Sequence, residues 1–253
     1  MKWIINMSLC WCLALGMGKA ESRGAKFTDD DKCFKQLKVL FDRQLKLNAD
    51  FGNETRFLHY SIMAVTSGTE SKIYESEVKL YMNKHRLSLE SQDLQLFLDE
   101  QASVSVLPGR KMIIIRQSPK NQQKFQAERL KQVAIFQDSL FDHIKDIQCS
   151  LAAGSTKDQH VKLALTPNGL KRFGISSIDF VTDQKASKIK SFTIDYGANH
   201  RLKTMQCTFK QLDYHHSGAR LKKSALATVL NQDETLLAHF KEYKLIDNRK
   251  KRQ

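Results

Sequence analysis

His215 and His216 are the only adjacent histidines in this 253-residue chain, and they are the first place to look for chemistry. Neighbouring residues on a strand point to opposite faces, which is poor geometry for gripping one metal ion. His59, His85, His143, His160, His200 and His239 stand singly among polar residues, the ordinary setting of surface histidine. Cys207 alternates with Met205 and Phe209, so it reads as a buried thiol rather than a nucleophile beside a base. No phosphate-binding loop, glycine-rich dinucleotide fingerprint, nucleophile elbow or zinc spacing occurs. Asn53-Glu54-Thr55 matches a glycosylation acceptor, a short pattern that chance often produces. These residues point to a protein that binds or docks, with no catalytic site, metal or cofactor.

The chain's ends carry further signals. Lys2 precedes an apolar run from Trp3 to Gly16, and Gly18-Lys19-Ala20 is a small-x-small triplet suited to cleavage before Glu21. The run is too short for a stable membrane span, so residues 1–20 are expected to be a cleaved export signal. Lys and Arg number 41 against 27 Asp and Glu, a formal charge of +14. Without Lys2 and Lys19 the balance is 39 against 27, or +12. Export removes most nucleic acid from reach, which leaves anionic membrane surfaces or acidic protein faces as partners for that charge. Cys33, Cys149 and Cys207 are too few for a disulfide-built scaffold; they allow one disulfide plus one free thiol, and each lies in an apolar pattern that reads as buried free cysteine. Residues 27–247 are expected to form one β-rich domain, with 248–253 a basic tail.

The elements alternate between two periods. Thr28 and Asp29 offer caps for a helix reaching about Ala49, with Cys33, Phe34, Leu37, Leu40, Phe41 and Leu45 on one stripe. Tyr60–Val65 reads as a strand ending at Ser67-Gly68-Thr69. Between Ile73 and Arg116, Tyr74, Val78, Leu80 and Met82 keep even parity, and then Leu87 and Leu89 are odd. A tight hairpin at Asn83-Lys84 returns the apolar side chains to the same face. Leu94, Leu96 and Leu98 continue the alternation, Asp99-Glu100-Gln101 turns into Val104 and Val106, and Pro108-Gly109 suits a type II turn. Met112–Ile115 is apolar throughout, as expected of a strand covered on both faces. From Gln122 to Ala153, Phe125, Val133, Phe136, Leu140, Ile144, Ile147 and Leu151 trace a long helical face, capped by Gly154. A second strand series runs through Val161–Leu165, Ile178–Phe180, Ile189–Tyr196 and Met205–Phe209, and Tyr243 and Leu245 close it.

The stretch Tyr74–Arg116, YESEVKLYMNKHRLSLESQDLQLFLDEQASVSVLPGRKMIIIR, is similar to the strand run of the outer-membrane lipoprotein carrier (LolA-like) superfamily. An N-terminal helix, a strand meander, a helical insertion and a second meander complete the resemblance, which lies in architecture rather than in a motif. The resemblance implies an α+β fold: an open, incomplete antiparallel β-barrel, or half-barrel, with the N-terminal helix and the long inserted helix over its concave face. It also implies an apolar hollow lined by Val78, Leu80, Leu87, Leu89, Leu94, Leu96, Leu98, Val104 and Val106, with the helix from Gln122 as its lid. The function expected is then a periplasmic or secreted binding protein for lipid or lipoprotein acyl chains. The alternative is a non-enzymatic interaction subunit of an envelope assembly, with a filled core and a protein partner in place of a small ligand.

Overall fold

A computed structural model describes residues 34–41, 54–118, 139–151, 158–183, 185 and 188–249. The expected export signal, the flanks of the first helix, most of the inserted helix and the basic tail from residue 250 lie outside the described residues. Among the described residues twelve strands, numbered β1 to β12 along the chain, form one open, mixed sheet in the order Lys244–Asp247, Met112–Gln117, Ala102–Leu107, Gln95–Leu98, Leu87–Glu90, Ile73–Met82, Thr55–Thr66, Leu202–His216, Lys188–Tyr196, Ile175–Asp183, Asp158–Leu165 and Ile144–Leu151. The described residues cluster into two compact units, and the limits between them fall inside β1 (Thr55–Thr66), β2 (Ile73–Met82) and β11 (Leu202–His216). No described helix is long and apolar enough to cross a membrane.

The first unit holds residues 34–41, 62–75, 139–151, 158–183, 185 and 188–209. Its sheet pairs β7 (Ile144–Leu151), β8 (Asp158–Leu165), β9 (Ile175–Asp183), β10 (Lys188–Tyr196) and the start of β11 antiparallel. Register aligns Val161, Phe180, Phe192 and Cys207 in one row, and Leu163, Ile178, Ile194 and Met205 in the next. A helix over 34–41 buries Phe34, Leu37 and Phe41. The Phe41 ring meets Phe180 edge-on at 5.2 Å between centroids.

The long helix expected to run to Ala153 is corrected here. A short helical stretch occupies 139–141, and from Ile144 the chain is strand β7. The cause is a bulge. Ile144 faces Leu165 while Asp146 faces Ala164, so one extra residue is taken up between them. Ile144, Ile147 and Leu151 thereby share a strand face at a spacing that reads as helical. Cys149 sits on that strand and is disulfide-bonded rather than a free thiol. Cys207 is a buried thiol, as its parity predicted.

The second unit holds residues 54–61, 76–118 and 210–249. Met82 is followed by the expected tight turn, in which Asn83 Oδ1 accepts from the His85 and Arg86 amides at 3.0 and 2.8 Å. β3 (Leu87–Glu90), β4 (Gln95–Leu98), β5 (Ala102–Leu107) and β6 (Met112–Gln117) then form an antiparallel meander. The Pro108-Gly109 corner is a 3₁₀ turn, and the left-handed residue is Lys111 (φ 44°) instead of Gly109. β12 (Lys244–Asp247) joins β6 in parallel, so β6 has a strand on each side, while of its apolar run Ile113 and Ile115 are buried and Met112 and Ile114 half-buried.

The segment from Ala219 to Tyr243, to which the sequence assigned no element before Phe240, is a strap of 3₁₀ turns. Ala225, Val229, Leu230 and Phe240 pack in one cluster with Phe97, Ala102, Val104, Val106, Ile113 and Ile115. Polar clasps fix it. Buried Asp99 accepts from the Gln101 and Ala102 amides at 2.9 Å through Oδ1, and from the Ala225 amide at 2.7 Å through Oδ2. Arg86 donates to the Leu221 and Lys222 carbonyls, and Arg220 pairs with Glu90. Replacing Asp99 by Ala orphans three amide donors, two of which belong to the β4–β5 turn. Asp99→Ala should cost about 2–4 kcal/mol, measured as a fall in the urea midpoint, with Asp99→Asn recovering part of it.

Candidate apolar site

Register across β2–β6 decides which of the apolar residues share a face. Leu80, Leu89, Leu96, Ser105 and Ile114 stand opposite one another in succession, and beside them run Met82, Leu87, Leu98, Ser103 and Arg116. Val78 has the parity of Leu80 on β2, and Leu94 precedes β4 with the parity of Leu96. Seven of the nine residues expected to line the hollow therefore share one face: Val78, Leu80, Leu87, Leu89, Leu94, Leu96 and Leu98. Val104 and Val106 do not. Val104 pairs with Phe97 and Ile115, and Val106 with Gln95 and Ile113, on the opposite face. That face is the one the strap closes. The tight turn between β4 and β5 pairs Leu98 with Ser103, so the valines at even positions exchange faces with the even leucines.

The leucine face is graded. Val78, Leu80 and Met82 on β2 are fully enclosed, and Leu87 and Leu89 on β3 are buried. Leu94, Leu96, Leu98, Met112 and Ile114 are half-buried. Ser103, Ser105 and exposed Arg116 bring polarity to the β5–β6 side. Such a surface excludes water at one end and offers side chains to an apolar partner at the other.

The histidines are distributed as strand geometry demands. His215 pairs with Glu54 at 2.6 Å, while His216 lies against Phe57 and Tyr81, with centroids at 5.1 and 5.5 Å. The Nδ1 of His216 accepts from the Gly218 amide at 3.2 Å. Among the described residues no three His, Cys, Asp or Glu side chains gather as a metal-binding group. His59 lies 3.4 Å from Glu77, a contact that would favour its protonated form, yet its pKa is lowered. Burial is the first cause, and repulsion from Lys210 and Lys79 adds to it. Glu77 also pairs with Lys210, so much of its charge is already answered.

Among solved structures the chain has distant likenesses. An uncharacterized conserved protein from Thermus thermophilus aligns over 87% of this chain and 100% of its own, at 6% identity and TM-score 0.39. An outer membrane lipoprotein-sorting protein domain from Vibrio parahaemolyticus aligns over 73% and 92%, at 8% identity and TM-score 0.30. A LolA superfamily protein from Nitrosomonas europaea aligns over 69% and 92%, at 5% identity and TM-score 0.28. No family model matches the chain, and no curated protein does.

The lowered pKa of His59 gives a pH signature. In the unfolded chain a histidine takes up its proton near 6.5, whereas folded His59 resists until lower pH. Protons therefore favour unfolding as pH falls below 6.5, and the contribution is restored above it. The urea midpoint should drop between about pH 7.5 and about pH 5.5, and His59→Gln should shrink that drop.

Proposed function

We propose that this chain is an exported, non-enzymatic binding protein of the cell envelope that holds acyl chains, of lipid or of lipidated protein, against the leucine face of β2–β6. The observation that carries the reading is the gradient on that face. Residues in a single register row pass from enclosed Leu80 through buried Leu89 to half-buried Leu96 and Ile114. A sheet that only needed a core would have no use for a row of leucines left half covered. Burial of one leucine side chain is worth about 1.5–3 kcal/mol, so an acyl chain seated along Leu94, Leu96, Leu98 and Ile114 gains from each contact. The basic balance of the chain would bring such a protein toward anionic membranes, where acyl cargo is found.

A second reading is favoured by one feature of the sheet. Among the described residues β7 and β12 each have a strand partner on one side only, and an open edge can accept a strand from another protein. On that reading the chain is an interaction subunit of an envelope assembly and carries no small ligand.

Native mass spectrometry of the protein purified without detergent separates the two. The carrier reading expects a reproducible added mass that leaves on solvent extraction and returns on incubation with lipid. Leu96→Asp should abolish the added mass while preserving cooperative unfolding, since Leu96 is only half-buried. Val104→Ala, on the opposite face, should cost about 1–3 kcal/mol of stability and leave the lipid bound. A bare polypeptide mass that no lipid changes would transfer the weight to the interaction subunit.

A further inference from the structure

One end of the strands of the first unit gathers cations and exposed apolar side chains on three adjoining connections. β1 ends at Thr66 and β2 begins at Ile73, and the loop between them is tied by the Thr66 amide donating to the Lys72 carbonyl at 3.0 Å. The Ser67 amide donates to the Arg201 carbonyl at 2.9 Å, which joins that loop to the one between β10 and β11. The Gly197 amide in turn donates to the Gly174 carbonyl at 2.9 Å, joining it to the helix Pro167–Phe173. That helix is well founded: Thr166 caps it by accepting from the Gly169 amide at 3.1 Å, and Gly174 ends it at φ 71°. Leu170 lies so close over Gly197 that a side chain there would meet it at 2.8 Å. The three connections form one surface.

Their side chains share a chemistry. Ile73 is 64% exposed, Tyr74 41% and Leu170 37%, three of the most exposed large apolar residues among those described. Lys72, Lys171, Arg172, Arg201 and Lys203 surround them, all exposed, against the two carboxylates of Glu70 and Glu75. Among the described residues none of these five cations makes an ion pair, whereas Lys190 on the same sheet is held by Asp158 at 2.7 Å. Arg172 lies over the Phe173 ring, 5.4 Å from its centroid. Unanswered cations around exposed apolar tips are what an anionic bilayer interface rewards. The cations meet headgroup phosphates and the apolar tips enter the boundary with the acyl region.

We infer that this end of the first unit is a docking surface for an anionic lipid bilayer, with Lys171, Arg172 and Arg201 as headgroup contacts and Ile73 and Leu170 as shallow apolar anchors. This deepens the carrier reading by naming where the protein would meet a membrane, yet bilayer docking does not require the leucine face to be loaded, so each can fail alone. Its affinity should fall steeply with salt, because exposed charges are screened within about 10 Å at 0.1 M.

Co-sedimentation with vesicles is the test, using phosphatidylcholine alone and an equal mixture of phosphatidylcholine and phosphatidylglycerol. The chain should bind the mixed vesicles and not the neutral ones. A cation near an anionic surface contributes about fivefold in affinity, so the triple change Lys171→Glu, Arg172→Glu, Arg201→Glu should weaken binding by more than about tenfold. Ile73→Ser should reduce the part of the binding that survives high salt. The control is Lys185→Glu with Lys188→Glu, at the opposite end of β9 and β10, which should bind nearly as well as the parent chain. Absence of binding to the mixed vesicles, or equal losses in the control and the triple variant, would overturn the proposal. In the second case net charge, and no particular surface, would be responsible. Lipid copurification, read by mass spectrometry on the same variants, reports on the leucine face independently.

Discussion

A sheet that carries apolar side chains on both faces must have both faces answered, and this requirement organises the second unit. The valine face of β4–β6 is answered by the chain itself. The strap returns from β11, lays Ala225, Val229, Leu230 and Phe240 over Phe97, Val104 and Ile113, and ends by adding β12 to the free side of β6. Apolar burial supplies the attraction, but it is non-directional and would tolerate many placements. Direction comes from the polar clasps. Asp99 accepts from both its own turn and the strap, and Arg86 donates to successive strap carbonyls, so the strap has one seating. The leucine face is left with its graded exposure.

Much of the sheet was legible because alternation is a local property. Val78, Leu80 and Met82, then Leu87 and Leu89, announced a strand, a parity change and a tight turn, and Asn83 closes that turn with its own side chain. Two features escaped for the same reason: a single residue out of step reverses everything after it. At Ile144–Asp146 a bulge converts a strand into a spacing of three and four, which imitates a helix. At the β4–β5 turn the even leucines and even valines part company, although nothing in their own neighbourhoods separates them. The strap escaped for another cause. Its apolar residues Leu226, Val229, Leu230, Leu236 and Leu237 keep to neither period, since 3₁₀ turns repeat too briefly to leave a pattern.

Charge is deployed unevenly as well. In the second unit Lys111, Lys210, Arg220 and Arg249 are drawn into pairs, and Arg249 grips Asp247 at 2.6 Å and reaches Glu234. Its pKa is raised chiefly by the hydrogen bonds to Asp247, so the grip persists across the physiological range. Along the outer face of the first unit Lys190 answers Asp158 and His160 meets Asp179. The cations around Leu170 and Ile73 have no ion-pair partner among the described residues, so they add charge without tying elements together.

The interleaving of the two units bears on how the chain reaches its native state. Each unit draws on segments from early and late in the sequence, since β1, β2 and β11 each contribute to both. β6 gains its last partner only from residues 244–247, more than a hundred positions downstream. Closing such distant pairings costs loop entropy before it yields contacts, which slows folding. A nascent chain of this design cannot complete either unit until its later strands are available. Until then its leucine-rich strands stay exposed to one another and to other chains, so the last residues to be made decide when that exposure ends.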